Sequence, residues 1–195
     1  MNHSKVYRKL PNNFKEVYRF GGSNDQATCL LINMLSIVMI VPLVIFYGFI
    51  NKELFWFFKP LEMLYFAVIL FVSFLVTIFL HELIFSFFIR RENKEINLKI
   101  KGLLVKTNIQ DFYFEKKYYL NAIYFTNAII LSLLILSLFV FKNAWSIFYF
   151  LIVFHLAAYF GDAFTVFQIL KHNPCVLIQE QHKELTLYEK VDTND

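Results

Sequence analysis

The stretch MLYFAVILFVSFLVTIFLHELIFSFFI, residues 63–89, decides how this chain is read. From Met63 to Leu80 it carries no charge. A helix needs about 20 such residues to cross the hydrocarbon of a bilayer. His81 and Glu82 then break the run, and Leu83 to Ile89 resume it before Arg90. A histidine and a carboxylate inside an apolar helix are costly there, so they are read first as functional groups.

Working outward, three more runs have the same character. They extend from Ala27 to Asn51, from Tyr118 to Phe141, and from Asn143 to Gly161, where Asp162 interrupts. The runs are continuous rather than alternating, which favours helices over barrel strands. Pro42 falls inside the first run, where a membrane helix tolerates it with a kink. The whole chain of 195 residues is 58% hydrophobic, with 25 phenylalanines. Only 17% of residues are charged, against about 25% in soluble domains. A soluble surface cannot be built from that composition with its charges gathered into a few blocks.

Orientation follows from Lys and Arg. Sixteen of the 19 lie in the N-terminal segment, in Arg90 to Lys117, or in the tail after Leu170; Lys52, Lys59 and Lys142 occupy the other two loops. The positive-inside rule places both termini and the central loop in the cytoplasm. Trp56 and Trp145 then fall on the outer side, as an interfacial aromatic belt requires. The net charge of +4 is explained by this topology and by anionic lipid, and does not point to nucleic acid. No cleavable signal peptide is visible, so the first run is a retained span. Cys29 and Cys175 lie on the reducing side and are expected as free thiols.

In the central loop Ile96, Leu98 and Ile100 alternate with polar residues, Gly102 follows, and Leu103 to Phe114 is again β-prone. This predicts a hairpin near the membrane surface. Leu185 to Tyr188 alternates too and offers a further strand. The expected fold is an all-α membrane protein, a single integral membrane domain. It has four transmembrane helices at about 28–50, 61–89, 119–141 and 144–170, a small cytoplasmic β-hairpin at about 95–115 between the second and third, and a cytoplasmic tail from 172 to 195.

Depth along the helices carries the functional reading. His81 lies about 20 residues, or roughly 30 Å, from the outer end of its helix near Pro60, and Asp162 about 18 residues, or roughly 27 Å, from the outer end near Ala144. His81, Glu82 and Asp162 therefore meet near the cytoplasmic boundary if the second and fourth helices pack together. A carboxylate at a helix end can equally be solvated and need no partner. His155 lies seven residues before Asp162, about 10 Å further out, and reads as a core histidine bonded to a neighbouring span. His3, His172 and His182 fall in polar segments and read as solvated.

A zincin places H-E-x-x-H on a helix: two histidines four apart bind zinc, and the glutamate activates a water. Here the residues are His81-Glu82-Leu83-Ile84-Phe85, so phenylalanine stands at the second histidine. Together with Gly161-Asp162 and Leu170-Lys171-His172-Asn173-Pro174, and with the order of spans and hairpin, this resembles a zincin-peptidase family of bacterial membrane proteins, distantly similar to the site-2 proteases. The resemblance covers about Leu10 to Tyr188. It implies His81 and Asp162 as zinc ligands, Glu82 as general base, and a membrane protein or peptide as substrate in a bacterial cell membrane. Phe85 cannot bind a metal, and a catalytic zinc normally takes three protein ligands. Two readings stand side by side: a membrane-embedded zinc metallopeptidase, and a non-enzymatic relative acting as regulator, pseudoprotease or immunity-type binding protein. A small transporter ranks last, because there are no paired broken helices.

Overall fold

The structure, a computed structural model, describes residues 6–21, 26–51, 60–91, 95–101, 104–109, 111–181 and 184–191. Its helices are α1 (Gln26–Asn51), α2 (Pro60–Arg90), α3 (Lys116–Val140) and α4 (Trp145–Leu170). Each contains a stretch long and apolar enough to cross a membrane. The uncharged runs explain this: only a helix pairs all of its own N–H and C=O groups without water. Pro42 lies inside α1. Pro60 opens α2, where a missing N–H costs nothing, and Arg90 sits in its last turn, where a cation suits the exposed carbonyls.

The strands are β1 (Val6–Tyr7), β2 (Phe14–Gly21), β3 (Asn97–Lys101), β4 (Leu104–Asn108), β5 (Tyr113–Glu115), β6 (Leu177–Gln181) and β7 (Glu184–Lys190). β3 and β4 pair antiparallel, Asn97 opposite Asn108 and Lys101 opposite Leu104. This is the hairpin expected between the second and third helices; Gly102 lies outside the described residues. The all-α expectation needs correcting beyond it. A second, five-stranded antiparallel sheet has the order β1-β5-β6-β7-β2. The anticipated strand at Leu185 to Tyr188 is part of β7, paired on one side with β6 and on the other with β2. Trp145 is the first residue of α4; Trp56 lies outside the described residues.

Every junction between sheet and helix falls at one end of the bundle. β2 leads into α1, α2 into β3, β5 into α3, and α4 into β6. The start of α3 ties this end together. Tyr118 donates its hydroxyl to Phe88 and Ile89 carbonyls, covering the last turn of α2. Lys116 donates to the Leu170 carbonyl (3.4 Å) and the His172 carbonyl (2.6 Å), covering the end of α4. The Ile89 and Leu170 carbonyls lie in the last turns, beyond reach of an N–H of their own helices, and a cation there also opposes the helix dipole. His172, expected in solvent, is instead half-buried beside Glu189 (3.3 Å) with its ring against Tyr18. Glu189 also accepts from Asn173, so the elbow after α4 is held by β7.

The largest buried cluster sits where the sheet closes this end of the bundle. Phe114, Ile178 and Leu187 from the sheet meet Ile89, Leu120, Ile123, Val166 and Ile169 from the helices. A smaller cluster of Ile130, Leu134 and Leu151 joins α3 to α4 further along. α1 packs on α4, with Tyr47 donating to Ser146 Oγ (2.7 Å) and Tyr149 to the Leu43 carbonyl (2.7 Å). Much of α1 and of the first half of α2 remains exposed and apolar, Phe49, Leu61 and Tyr65 among them. Phe114 is fully buried against Tyr119 and stands opposite both Val6 and Ile178 in the sheet. Phe114→Ala is expected to destabilise the protein by about 3–5 kcal/mol, the usual cost of truncating a buried phenylalanine. Thermal unfolding in detergent, followed by tyrosine and tryptophan fluorescence, measures it.

Candidate active site at the junction of helices and sheet

The packing of α2 on α4 brings His81 and Asp162 together, His81 Nε2 lying 3.7 Å from Asp162 Oδ2. Both side chains are about one-third exposed, His81 at 28% and Asp162 at 36%, so the pair is reachable. A third helix holds the aspartate. Asn127 of α3 donates Nδ2 to Asp162 Oδ2 (2.9 Å) and to its own Ile123 carbonyl (2.9 Å). Asn127 was not singled out by ionisable chemistry. Its signal was present, since an amide inside an uncharged run also demands a partner.

Glu82 is held from the opposite direction by the hairpin. Thr107 of β4 donates its backbone N–H to Glu82 Oε2 (2.9 Å), and its hydroxyl lies 2.9 Å from the same oxygen. The hydroxyl is also 3.3 Å from the Glu82 carbonyl, so its single proton has two acceptors to choose between. Thr107 is buried. The contact fixes one carboxylate oxygen and orients the side chain.

Phe85 lies four residues after His81, one helical turn on, and lines the same cavity. It is 8% exposed and meets the Tyr119 ring edge to face, 6.2 Å between centroids. Tyr119 in turn donates to Glu180 of β6 (3.0 Å). The position that would present a second histidine is thus correctly aimed, and a hydrocarbon ring occupies it. His155 is buried on α4 and, among the described residues, does not complete a metal-holding cluster with His81 and Asp162.

These groups surround a cavity of about 370 Å³ between the helix ends and the sheet. Its polar wall is His81, Glu82, Asp162, Tyr119, Glu180 and Glu184. Its apolar wall includes Phe20, Ile32, Phe85 and Leu185. Gly161 also faces it, with nothing within 4 Å of where a Cβ would stand, so a side chain there would enter open space. Glu184 is paired with Arg19 (3.5 Å). Phe20, Glu180, Glu184 and Leu185 reach the site through strand pairing across long sequence distances, which a local motif does not reveal.

His81 and Asp162, from two apolar helices and with Glu82 beside the histidine, thus gather at the sheet end of the bundle. Residues 74–177 match a family described as "Putative zincin peptidase", and the chain belongs to that family. The match runs from the middle of α2 to the first residue of β6. No curated protein and no solved structure matches the chain.

The donor set fits zinc in part. His81 offers an imidazole nitrogen and Asp162 a carboxylate oxygen, both ordinary zinc ligands. Among the described residues no group of three His, Cys, Asp or Glu is placed to hold a metal. Removing the Glu82 carboxylate leaves the Thr107 N–H and hydroxyl buried without that partner, which costs about 1–3 kcal/mol. Glu82→Ala is therefore expected to speed deuterium exchange of the Thr107 amide and loosen the hairpin. Glu82→Gln keeps an acceptor and should leave exchange near the wild-type rate.

Proposed function

We propose that the chain is a membrane-embedded, multi-pass protein of the zincin metallopeptidase type, with His81 and Asp162 as metal ligands and Glu82 as general base. The observation that carries this reading is the 3.7 Å approach of His81 to Asp162, from two helices, beside Glu82 in one cavity. In this reading the four apolar helices cross the bilayer and the sheet end faces the cytoplasm, as the Lys and Arg distribution favours. The site then lies near the cytoplasmic boundary, where a peptide segment emerging from the membrane meets it. Zinc, when bound, supplies Lewis-acid polarisation of a carbonyl and of water. The protein's part is to position these groups: Thr107 holds one Glu82 oxygen, leaving the other to take a proton from the attacking water, and Asn127 fixes the Asp162 carboxylate. The apolar wall of the cavity receives substrate side chains and excludes bulk water.

Phe85 favours a second reading. It takes a ligand position out of use and is packed into the core rather than left as a gap. A chain of this kind keeps the peptide-sized cavity and holds a membrane protein or peptide without cutting it, as a regulator, pseudoprotease or immunity-type factor.

Zinc content of the detergent-purified protein separates the two. About one zinc per chain in the wild type, lost in His81→Ala and in Asp162→Ala, is the expected result for the first reading. Zinc found only after Phe85→His, which restores a donor one turn from His81, supports the second. Zinc in neither, with all four proteins folded, sinks the metal site altogether.

A further inference from the structure

On the other side of the His81–Asp162 pair lies a smaller cavity of about 140 Å³, lined by α2, α3 and α4 and open on one side. His81 and Asp162 line both cavities, so the pair forms the partition between them. Glu82, Phe85 and the sheet residues line only the larger one. The smaller cavity is bordered by Thr77, Asn127, His155 and Tyr159 as well as the pair, a dense polar set for the interior of an apolar bundle.

Their hydrogen bonds do not close on one another. Thr77 bonds its own helix at the Ser73 carbonyl (2.9 Å). Asn127 commits its amide nitrogen to Ile123 and Asp162, and no donor among the described residues reaches its Oδ1. The buried His155 ring lies close to the Asn127 backbone. Tyr159 makes no hydrogen bond among the described residues. Yet the only side-chain polar atoms sealed off without a partner, among the described residues, are Ser86 Oγ and Thr126 Oγ1. The unused atoms of Asn127, His155 and Tyr159 therefore open onto space rather than onto packed hydrocarbon, and the cavity is the space they share.

We propose that this cavity is a hydration site holding a small cluster of water molecules inside the helix bundle. A polar group left unpaired in an apolar surrounding is costly, and water is the ligand that relieves it. An apolar cavity stays dry, whereas one with two to four convergent polar partners and room for a probe-sized molecule fills. Asn127 Oδ1 accepts, the Tyr159 hydroxyl donates or accepts, and a His155 ring nitrogen takes the role its tautomer sets. Phe74, one of its lining residues, packs edge to face on Phe154 at 5.7 Å.

Water stored here touches His81 and Asp162 without crossing the peptide-sized cavity. As a supply for hydrolysis the cluster rests on the peptidase reading: each cleavage consumes one water, its hydroxyl going to the acyl carbon and its proton to the amine nitrogen. As a hydration site it does not, and the test is independent of zinc and of activity. The full-length protein, labelled with carbon-13 and nitrogen-15, is reconstituted in phosphatidylcholine liposomes, and magnetisation is transferred from water to protein by solid-state NMR. The His155 ring and Asn127 side-chain signals should grow at least about tenfold faster than the methyls of Ile130 and Leu134, which lie in a dry cluster. Ala158→Phe, which puts a ring at the exposed side of the cavity, should bring them down towards the methyl rate. Wild-type His155 and Asn127 signals that grow no faster than those methyls overturn the proposal, and mean that lipid chains or nothing polar occupies the space. Because the wild type alone decides this, a misfolded Ala158→Phe does not rescue the idea, and a dry cavity leaves the zinc result untouched.

Discussion

One carboxylate holds three helices in register. Asp162 of α4 meets His81 of α2 and accepts from Asn127 of α3. Between apolar helices in a bilayer there is no hydrophobic driving force to choose a packing, since lipid is as apolar as leucine. What chooses is close fit and polar contacts that have no better partner. Asp162 is such a contact, and its position determines which faces of α2 and α3 turn inward. Phe85, Tyr119 and Ile123 then follow on those faces, and the cavity walls with them.

The sheet completes what the helices begin. The large buried cluster lies at its contact with the helix ends, and the start of α3 supplies partners for the last carbonyls of both α2 and α4. α1 is attached differently, by the Tyr47 and Tyr149 bonds and a ring cluster including Trp145 towards the opposite end. Its near end contributes Thr28 and Ile32 to the cavity. The site is therefore built from three helices joined at Asp162 and a fourth packed along α4.

How much of this could be read beforehand depended on how local the signal was. The helices were legible because an uncharged run of their length has no other way to pair its backbone. The hairpin was legible at Ile96, Leu98 and Ile100, where alternation is regular. β2 was not, because the register of Phe14–Gly21 against β7 shifts between Glu16 and Tyr18, and that irregularity breaks the two-residue period. The meeting of His81 with Asp162 came from equal depth, a global count along two helices. Asn127 is uncharged, so its only mark in the sequence is an amide inside an apolar run. Thr107, Glu180 and Glu184 carried no signal of their own: each reaches the site by a pairing that only the folded chain creates.

The family match at residues 74–177 contains His81, Glu82 and Asp162 but stops short of β2 and β7. Those two strands lie side by side in the sheet and place Phe20, Gly21, Glu184 and Leu185 around the cavity. The apparatus and its doorway are thus encoded in separate stretches of the chain. An altered doorway needs no alteration of the helices behind it, so chains with the same helices are free to admit different guests.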